Sequence, residues 1–266
     1  MQVWMESKDL SAVHHQLFDC RNVMDDIEQS TALFNKGHID GAVFVSGFPV
    51  LYNQNRPEEG RHPLPELSLF YTFVNYHTNG RTAVCYDQSE GFMATRFFFL
   101  CYLAGLPCLI LKENYNQLEL PKTVSELSPV HYLASISELP RIQPDHINKE
   151  LLASRQEVRN SRQTNDILID ARAEQRYLGE VEPIDARPGR IPGAVNFPYQ
   201  NVLNSGGDFS ELQHMVKDNP AIVYCGSGLS ATPLFAALTS LNHPVKLYAG
   251  SYSEWLFHYP DDIERG

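Results

Sequence analysis

Cysteine is scarce in this chain: five residues among 266, an odd number, scattered and without a Cys-x2-Cys pair. That excludes a disulfide framework and argues against a zinc site, and it fits a reducing, cytoplasmic home. Positive charge is also in deficit, with 21 Lys and Arg against 32 Asp and Glu and a net charge of -11. Nucleic acid and anionic membrane are therefore not expected as partners. A small anion remains admissible, because arginines placed in a pocket act at short range while the global field is screened. Long hydrophobic runs are missing too. The longest, Phe97 to Leu111, is too short to span a bilayer and is interrupted by Gly105 and Pro107. It reads as a buried helix followed by a strand. Met1 to Leu10 has neither a basic segment nor an apolar one, so no secretory leader is expected. What remains is the composition of a soluble globular protein, 43% hydrophobic and 20% charged, long enough for one large domain or two ordinary ones.

One pattern is written twice. Leu17-Phe18-Asp19-Cys20-Arg21 and Ile167-Leu168-Ile169-Asp170-Ala171-Arg172 are apolar runs that end in Asp-x-Arg. About twenty residues after each comes a matching turn, Gly37-His38-Ile39-Asp40-Gly41-Ala42 and Gly189-Arg190-Ile191-Pro192-Gly193-Ala194. Two short β-branched runs come next, Ala83 to Asp87 and Ile222 to Cys225. Each passes through a small-residue loop into an apolar helix, Ala94 to Ala104 and Ala231 to Leu241. Each helix stops at a breaker, Gly105-Leu106-Pro107 or Asn242-His243-Pro244, before another strand, Cys108 to Leu111 or Val245 to Tyr248. Strands alternating with helices of this length predict an α/β fold of two tandem domains, each a mainly parallel central sheet flanked by helices. The predicted bounds are 1–125 and 151–266, with the polar, proline-containing stretch 126–150 as linker.

The chemistry is expected at Cys225-Gly226-Ser227-Gly228-Leu229-Ser230. Here a cysteine ends a central strand and a glycine loop opens a helix. Two glycines permit positive φ and can turn successive N–H groups inward as an anion cradle. The positive end of the following helix points to the same place. Both favour thiolate over thiol, and cysteines so placed are nucleophiles with lowered pKa. The same cradle would hold an anionic persulfide. Cys20, Cys85, Cys101 and Cys108 lie in apolar strand or helix patterns and read as core. At the position matching Cys225, the first half carries Asp87, which cannot act as a sulfur nucleophile, and its loop Gln88-Ser89-Glu90-Gly91 holds an acid. One half reads as active and the other as scaffold. A phosphatase-type loop requires Cys-x5-Arg; six residues after Cys225 stands Ala231, so that reading is set aside.

These residues resemble the two-domain sulfurtransferases of the rhodanese superfamily, thiosulfate or 3-mercaptopyruvate sulfurtransferases of bacterial type. The stretches Arg176 to Asp185 and Leu247 to Trp255 add to the likeness. The resemblance implies an inactive N-terminal copy with Asp at the cysteine position. It also implies transfer of sulfur from a small anionic donor through a Cys225 persulfide to a thiol acceptor such as thioredoxin, or to cyanide. No cofactor and no metal is implied. Thiosulfate-preferring members carry basic residues after the cysteine, whereas mercaptopyruvate members carry Cys-Gly-Ser-Gly, as here at Cys225 to Gly228. The resemblance assigns the substrate arginine to Arg176, whose fork can take a carboxylate in bidentate fashion, with Arg187 as a candidate second. It assigns a Ser-His-Asp relay to Ser227 and to His62, expected across a cleft from the N-terminal half. Its acid is missing, because the chain reads Val45-Ser46-Gly47-Phe48 where one would stand. The alternative is a rhodanese-like module that binds or stores sulfur with little turnover.

Overall fold

The computed structural model describes residues 1–88 and 91–266, so the part of the first-half loop at Ser89 and Glu90, including its acid, lies outside the described residues. The chain forms two units. One comprises Gln2–Asn53 and Leu64–Asn148; the other comprises Lys149–Gly266 with Gln54–Pro63 and Met1.

In the first unit five parallel strands lie in the order Trp4–Met5, Cys108–Leu111, Thr82–Tyr86, His15–Asp19, Val43–Phe44. Strands Thr82–Tyr86 and Cys108–Leu111 are almost continuously apolar, as expected where helices cover a parallel sheet on both faces. Helix Phe92–Leu103 is buried nearly all round, including Phe97, Phe98 and Phe99, which is why its sequence shows no polar face. Cys20, Cys85 and Cys101 are fully buried and Cys108 half-buried, and burial pushes all four thiols up. The stretch expected as linker is packed structure up to Asn148. It contains helix Pro129–Glu138, whose start is fixed by the Ser128 side chain and a proline in the first turn. On that helix Tyr132 is buried and its hydroxyl accepts the Ser46 N–H at 3.1 Å. An apolar anchor of this kind holds a segment in place that its polar composition alone would leave loose.

The second unit repeats the design with four parallel strands in the order Val245–Leu247, Ala221–Tyr224, Ile167–Asp170, Val195–Asn196. Its core gathers Leu168, Ile222, Tyr224, Tyr248, Tyr252 and Trp255. Segment 54–63 packs here. Gly60 (φ 93°) comes so close to the Gly250 carbonyl that a Cβ would sit 2.5 Å from it, the Arg61 N–H donates to Ser253 Oγ at 3.1 Å, and His258 Nε2 lies 3.0 Å from the Glu58 carbonyl.

The duplicated Asp-x-Arg and Gly-x-Ile motifs turn out to be one clamp. Arg172 donates Nε to Asp170 Oδ1 at 3.0 Å, and its Nη2 donates to Asp170 Oδ2 at 2.6 Å and to the Gly189 carbonyl at 2.7 Å. Arg21 does the same with Asp19 and the Gly37 carbonyl. The hydroxyls of Tyr224 and Tyr86, each ending a central strand, accept the N–H of Ile191 and Ile39 at 3.1 Å. The strand end and the turn twenty residues on are thereby fastened, and in the second unit this fixes the end of the strand that leads into Cys225. Both ion pairs are buried, so losing one partner is expected to cost about 3–5 kcal/mol. Arg190 and His38 serve the turns: Arg190 pairs with Glu264 over the Tyr177 ring, and His38 stacks on Phe34.

Candidate active site

Cys225 follows directly on strand Ala221–Tyr224 and is 1% exposed. Its sulfur accepts the Gly228 N–H at 3.1 Å, so the loop closes on Sγ from the far side. Ser251 closes it from behind. Its Oγ accepts the Cys225 N–H at 3.1 Å, donates to the Tyr248 carbonyl at 2.9 Å, and lies 4.0 Å from Sγ. The loop is strapped further by Tyr252 and Ser253, whose N–H groups donate to the Cys225 and Gly226 carbonyls at 3.0 Å. Helix Thr232–Ser240 then opens behind it.

The two loop glycines do different work, which corrects the expectation that both supply positive φ. Gly228 does adopt φ 83°, and a Cβ there would lie 2.1 Å from the Ala249 carbonyl oxygen. Gly226 lies outside the left-handed region. Guanidinium groups rest on it: a Cβ would meet Arg61 Nη2 at 2.8 Å and Arg176 Nη2 at 3.4 Å. Leu229 is buried and Ser230 half-buried at the foot of the loop.

Arg176 thus stands over the loop. Its Nη2 donates to Glu182 Oε1 at 2.8 Å and to Asp185 Oδ2 at 3.0 Å, and its Nε to Glu182 Oε2 at 3.2 Å. Asp185 binds Arg61 through its other oxygen, so one carboxylate bridges the two guanidiniums. Both carboxylate side chains are nearly inaccessible, 2% exposed at Glu182 and 3% at Asp185, while Arg176 and Arg61 keep 19% and 22%. Burial pushes the Asp185 carboxyl up, and Glu182 adds to that, against the opposing pull of Arg61 and Arg176. At Glu182 burial acts upward as well, but the Asp185 and Ile184 N–H groups and Arg176 win, and it sits below its ordinary value.

Arg187 is not brought to the loop. Its guanidinium, half exposed, binds Asp261 at 2.7 Å and the Pro260 carbonyl at 3.0 Å. Arg61, Asp185 and Ser251 are the residues that sequence reasoning overlooks. A signal existed for Arg61, as the immediate neighbour of His62, and for Asp185, three residues after Glu182 in a stretch already singled out. His62 belongs by packing to the same unit as Cys225, not to the first-half unit, because segment 54–63 is part of it. His62 Nδ1 and Ser227 Oγ share a hydrogen bond of 2.7 Å.

In the first unit the position matching Cys225 holds Asp87. Its Oδ2 accepts the N–H groups of Met93 and Ala94 at 2.9 and 3.1 Å, and its Oδ1 that of Gln88 at 2.7 Å. A carboxylate therefore fills the donor set at the start of helix Phe92–Leu103. Burial raises its pKa to about 7, against these N–H groups, with Asp19 adding to the rise. Among the described residues no group of His, Cys, Asp and Glu side chains could hold a metal, and no helix is long and apolar enough to cross a membrane.

A family model for the rhodanese-like domain matches residues 4–119 and 154–258. SseB of Mycobacterium tuberculosis, whose name places it with the thiosulfate sulfurtransferases, is 30% identical over 249 residues, covering 88% of this chain and 86% of its own. The 3-mercaptopyruvate sulfurtransferase of Escherichia coli is 29% identical over 238 residues, covering 82% and 80%. Among solved structures, the 3-mercaptopyruvate sulfurtransferase from Leishmania major superposes with a TM-score of 0.78 at 23% identity, covering 98% of this chain and 76% of that one. That likeness speaks to the fold.

Proposed function

The chain belongs to the rhodanese-like domain family, and from that premise we propose that it is a sulfurtransferase working through a persulfide on Cys225, with 3-mercaptopyruvate favoured over thiosulfate as donor. The observation that carries the reading is the loop: a cysteine sulfur accepting the Gly228 N–H at 3.1 Å, with two guanidiniums resting on the adjacent Gly226. An N–H aimed at sulfur stabilises a thiolate and equally the terminal charge of a persulfide. Arg176 receives the donor's carboxylate through a charge-assisted hydrogen bond and holds its sulfur toward Sγ.

In the first half-reaction the Cys225 thiolate attacks the donor sulfur. The new S–S bond takes the sulfur, the C–S bond breaks, and its electron pair leaves on carbon as the enolate of pyruvate. A proton must reach that carbon, and the Ser227–His62 hydrogen bond places an exchangeable proton at the loop. In the second half-reaction an acceptor thiolate attacks the outer sulfur, forming an acceptor persulfide and returning the Cys225 thiolate. Thioredoxin-like dithiols then release sulfide as they close their own disulfide; cyanide would leave as thiocyanate. A reducing, cytoplasmic setting suits both the free thiol and such an acceptor. The neutral loop Gly226-Ser227-Gly228 favours a singly charged carboxylate over doubly charged thiosulfate, which two added cations would suit better.

The test is a paired donor assay. Pyruvate and sulfide should appear from 3-mercaptopyruvate with a thiol present, and thiocyanate should form more slowly from thiosulfate with cyanide. Turnover of neither donor by folded protein rejects the enzyme in favour of a sulfur-binding module. A thiosulfate rate well above the mercaptopyruvate rate rejects the donor preference alone.

A further inference from the structure

Three arginines and three carboxylates meet beside the loop. Arg172 is paired with Asp170 and reaches Glu182 at 3.3 Å; Arg176 is paired with Glu182 and Asp185; Arg61 is paired with Asp185. Charge for charge the cluster is neutral. An anion approaching Gly226 thus meets two guanidiniums whose charge is already offset by carboxylates lying behind them, 2–3% exposed. Asp185 is the pivotal member. Of the three carboxylates it is the one paired with both Arg61 and Arg176 among the described residues, one through each oxygen, so it sets the spacing of the two forks and cancels one of their charges.

We propose that Asp185 is the positioning residue that determines which anion charge the site accepts, by holding Arg61 and Arg176 as a paired clamp with no net positive surplus. This rests on the sulfurtransferase reading of the same site. A monoanion still gains charge-assisted hydrogen bonds from the two guanidiniums. A dianion gains the same contacts but is desolvated at greater cost without a matching positive charge. The discrimination therefore lies in the carboxylates behind the arginines as well as in the uncharged loop.

The experiment measures binding without turnover. Calorimetry on the full chain compares pyruvate, a monoanion, with sulfate, a dianion, for wild type, Asp185→Asn and Arg61→Gln. Asp185→Asn adds one net positive charge beside the anion, which acts twice as strongly on sulfate as on pyruvate. The ratio of the two dissociation constants should move toward sulfate by about tenfold at low salt. Arg61→Gln removes a positive charge and should move it in the opposite direction, while Asp185→Glu, keeping the charge, should leave it near the wild-type value. The thiosulfate-to-mercaptopyruvate ratio of kcat/KM should follow the binding ratio. An unchanged ratio in folded Asp185→Asn, or equal weakening of both anions, overturns the proposal. If Asp185→Asn does not fold, a ratio in Arg61→Gln that fails to shift toward pyruvate overturns it as well. Ratios that move as described while neither donor is turned over would leave this charge selection standing and reject the sulfurtransferase reading instead.

Discussion

At Arg176 two demands meet in one side chain. It lies over the loop, where an incoming carboxylate would be gripped, and it also neutralises Glu182 and Asp185, which are buried. Arg176→Ala is therefore expected to raise KM and lower kcat/KM by about 10- to 100-fold, the range for a lost charge-assisted hydrogen bond of about 1.5–3 kcal/mol. It should also destabilise the fold by about 1–3 kcal/mol, because two buried carboxylates lose a donor. Steady-state kinetics beside urea unfolding checks both; the sequence alone offers no reason for the second effect. Asp87 is the other residue with a separable prediction. Its pKa is raised from 3.8 to about 7, so the native state holds a proton there that the unfolded chain releases at lower pH. The resulting stability is fully present below about pH 4 and lost as pH rises through about 7, on the order of 4 kcal/mol in total. Asp87→Asn keeps an acceptor for the helix N–H groups without the charge. Its unfolding free energy, followed from pH 4 to 8, should fall less than that of wild type; an identical decline would mean Asp87 titrates normally.

At the scale of elements, backbone contacts decide. Gly228→Ala places a methyl group 2.1 Å from a backbone oxygen in a left-handed conformation, so the loop must shift. Activity should fall by at least about a hundredfold, with Tm lowered by several degrees; near-normal turnover would show that the Gly228 N–H is not needed on the sulfur. Gly60→Ala acts on segment 54–63, where a Cβ meets the Gly250 carbonyl at 2.5 Å. It should raise KM through displacement of Arg61 and His62, with little loss of the Cys225 thiol's accessibility to a small alkylating probe. Strands are legible in sequence because they are short apolar runs between breakers: Cys108–Leu111 has the expected ends, while Thr82–Tyr86 and Val245–Leu247 differ by one residue from 83–87 and 245–248. Helix Phe92–Leu103 starts two residues before its expected start, since Phe92 and Met93 are as apolar as the rest of the helix and only Asp87 marks the turn. The candidate site is legible where its residues are consecutive, as in Cys225 to Ser230. Arg61 is not, because it meets Asp185 across 124 positions of sequence, and no local pattern encodes that pairing. Arg187 is the converse, close in sequence to the right stretch but turned toward Asp261.

The molecule as a whole is a duplication in which one fold is used for two ends. Both units keep the Asp-x-Arg clamp, the tyrosine that pins the turn, and the strand–loop–helix order. They diverge at the strand end: where the second unit presents sulfur to a backbone N–H, the first presents its own carboxylate to three. The N–H groups that would hold an anionic sulfur are already taken by the Asp87 carboxyl. The other four thiols are core groups whose burial disfavours the thiolate. One sulfur carrier per chain is therefore expected. Intact-protein mass after incubation with 3-mercaptopyruvate, without acceptor, tests this directly. The mass should rise by one sulfur atom in the wild type and not at all in Cys225→Ser. Retention of the increment in Cys225→Ser, or a second sulfur on the wild type, would contradict it.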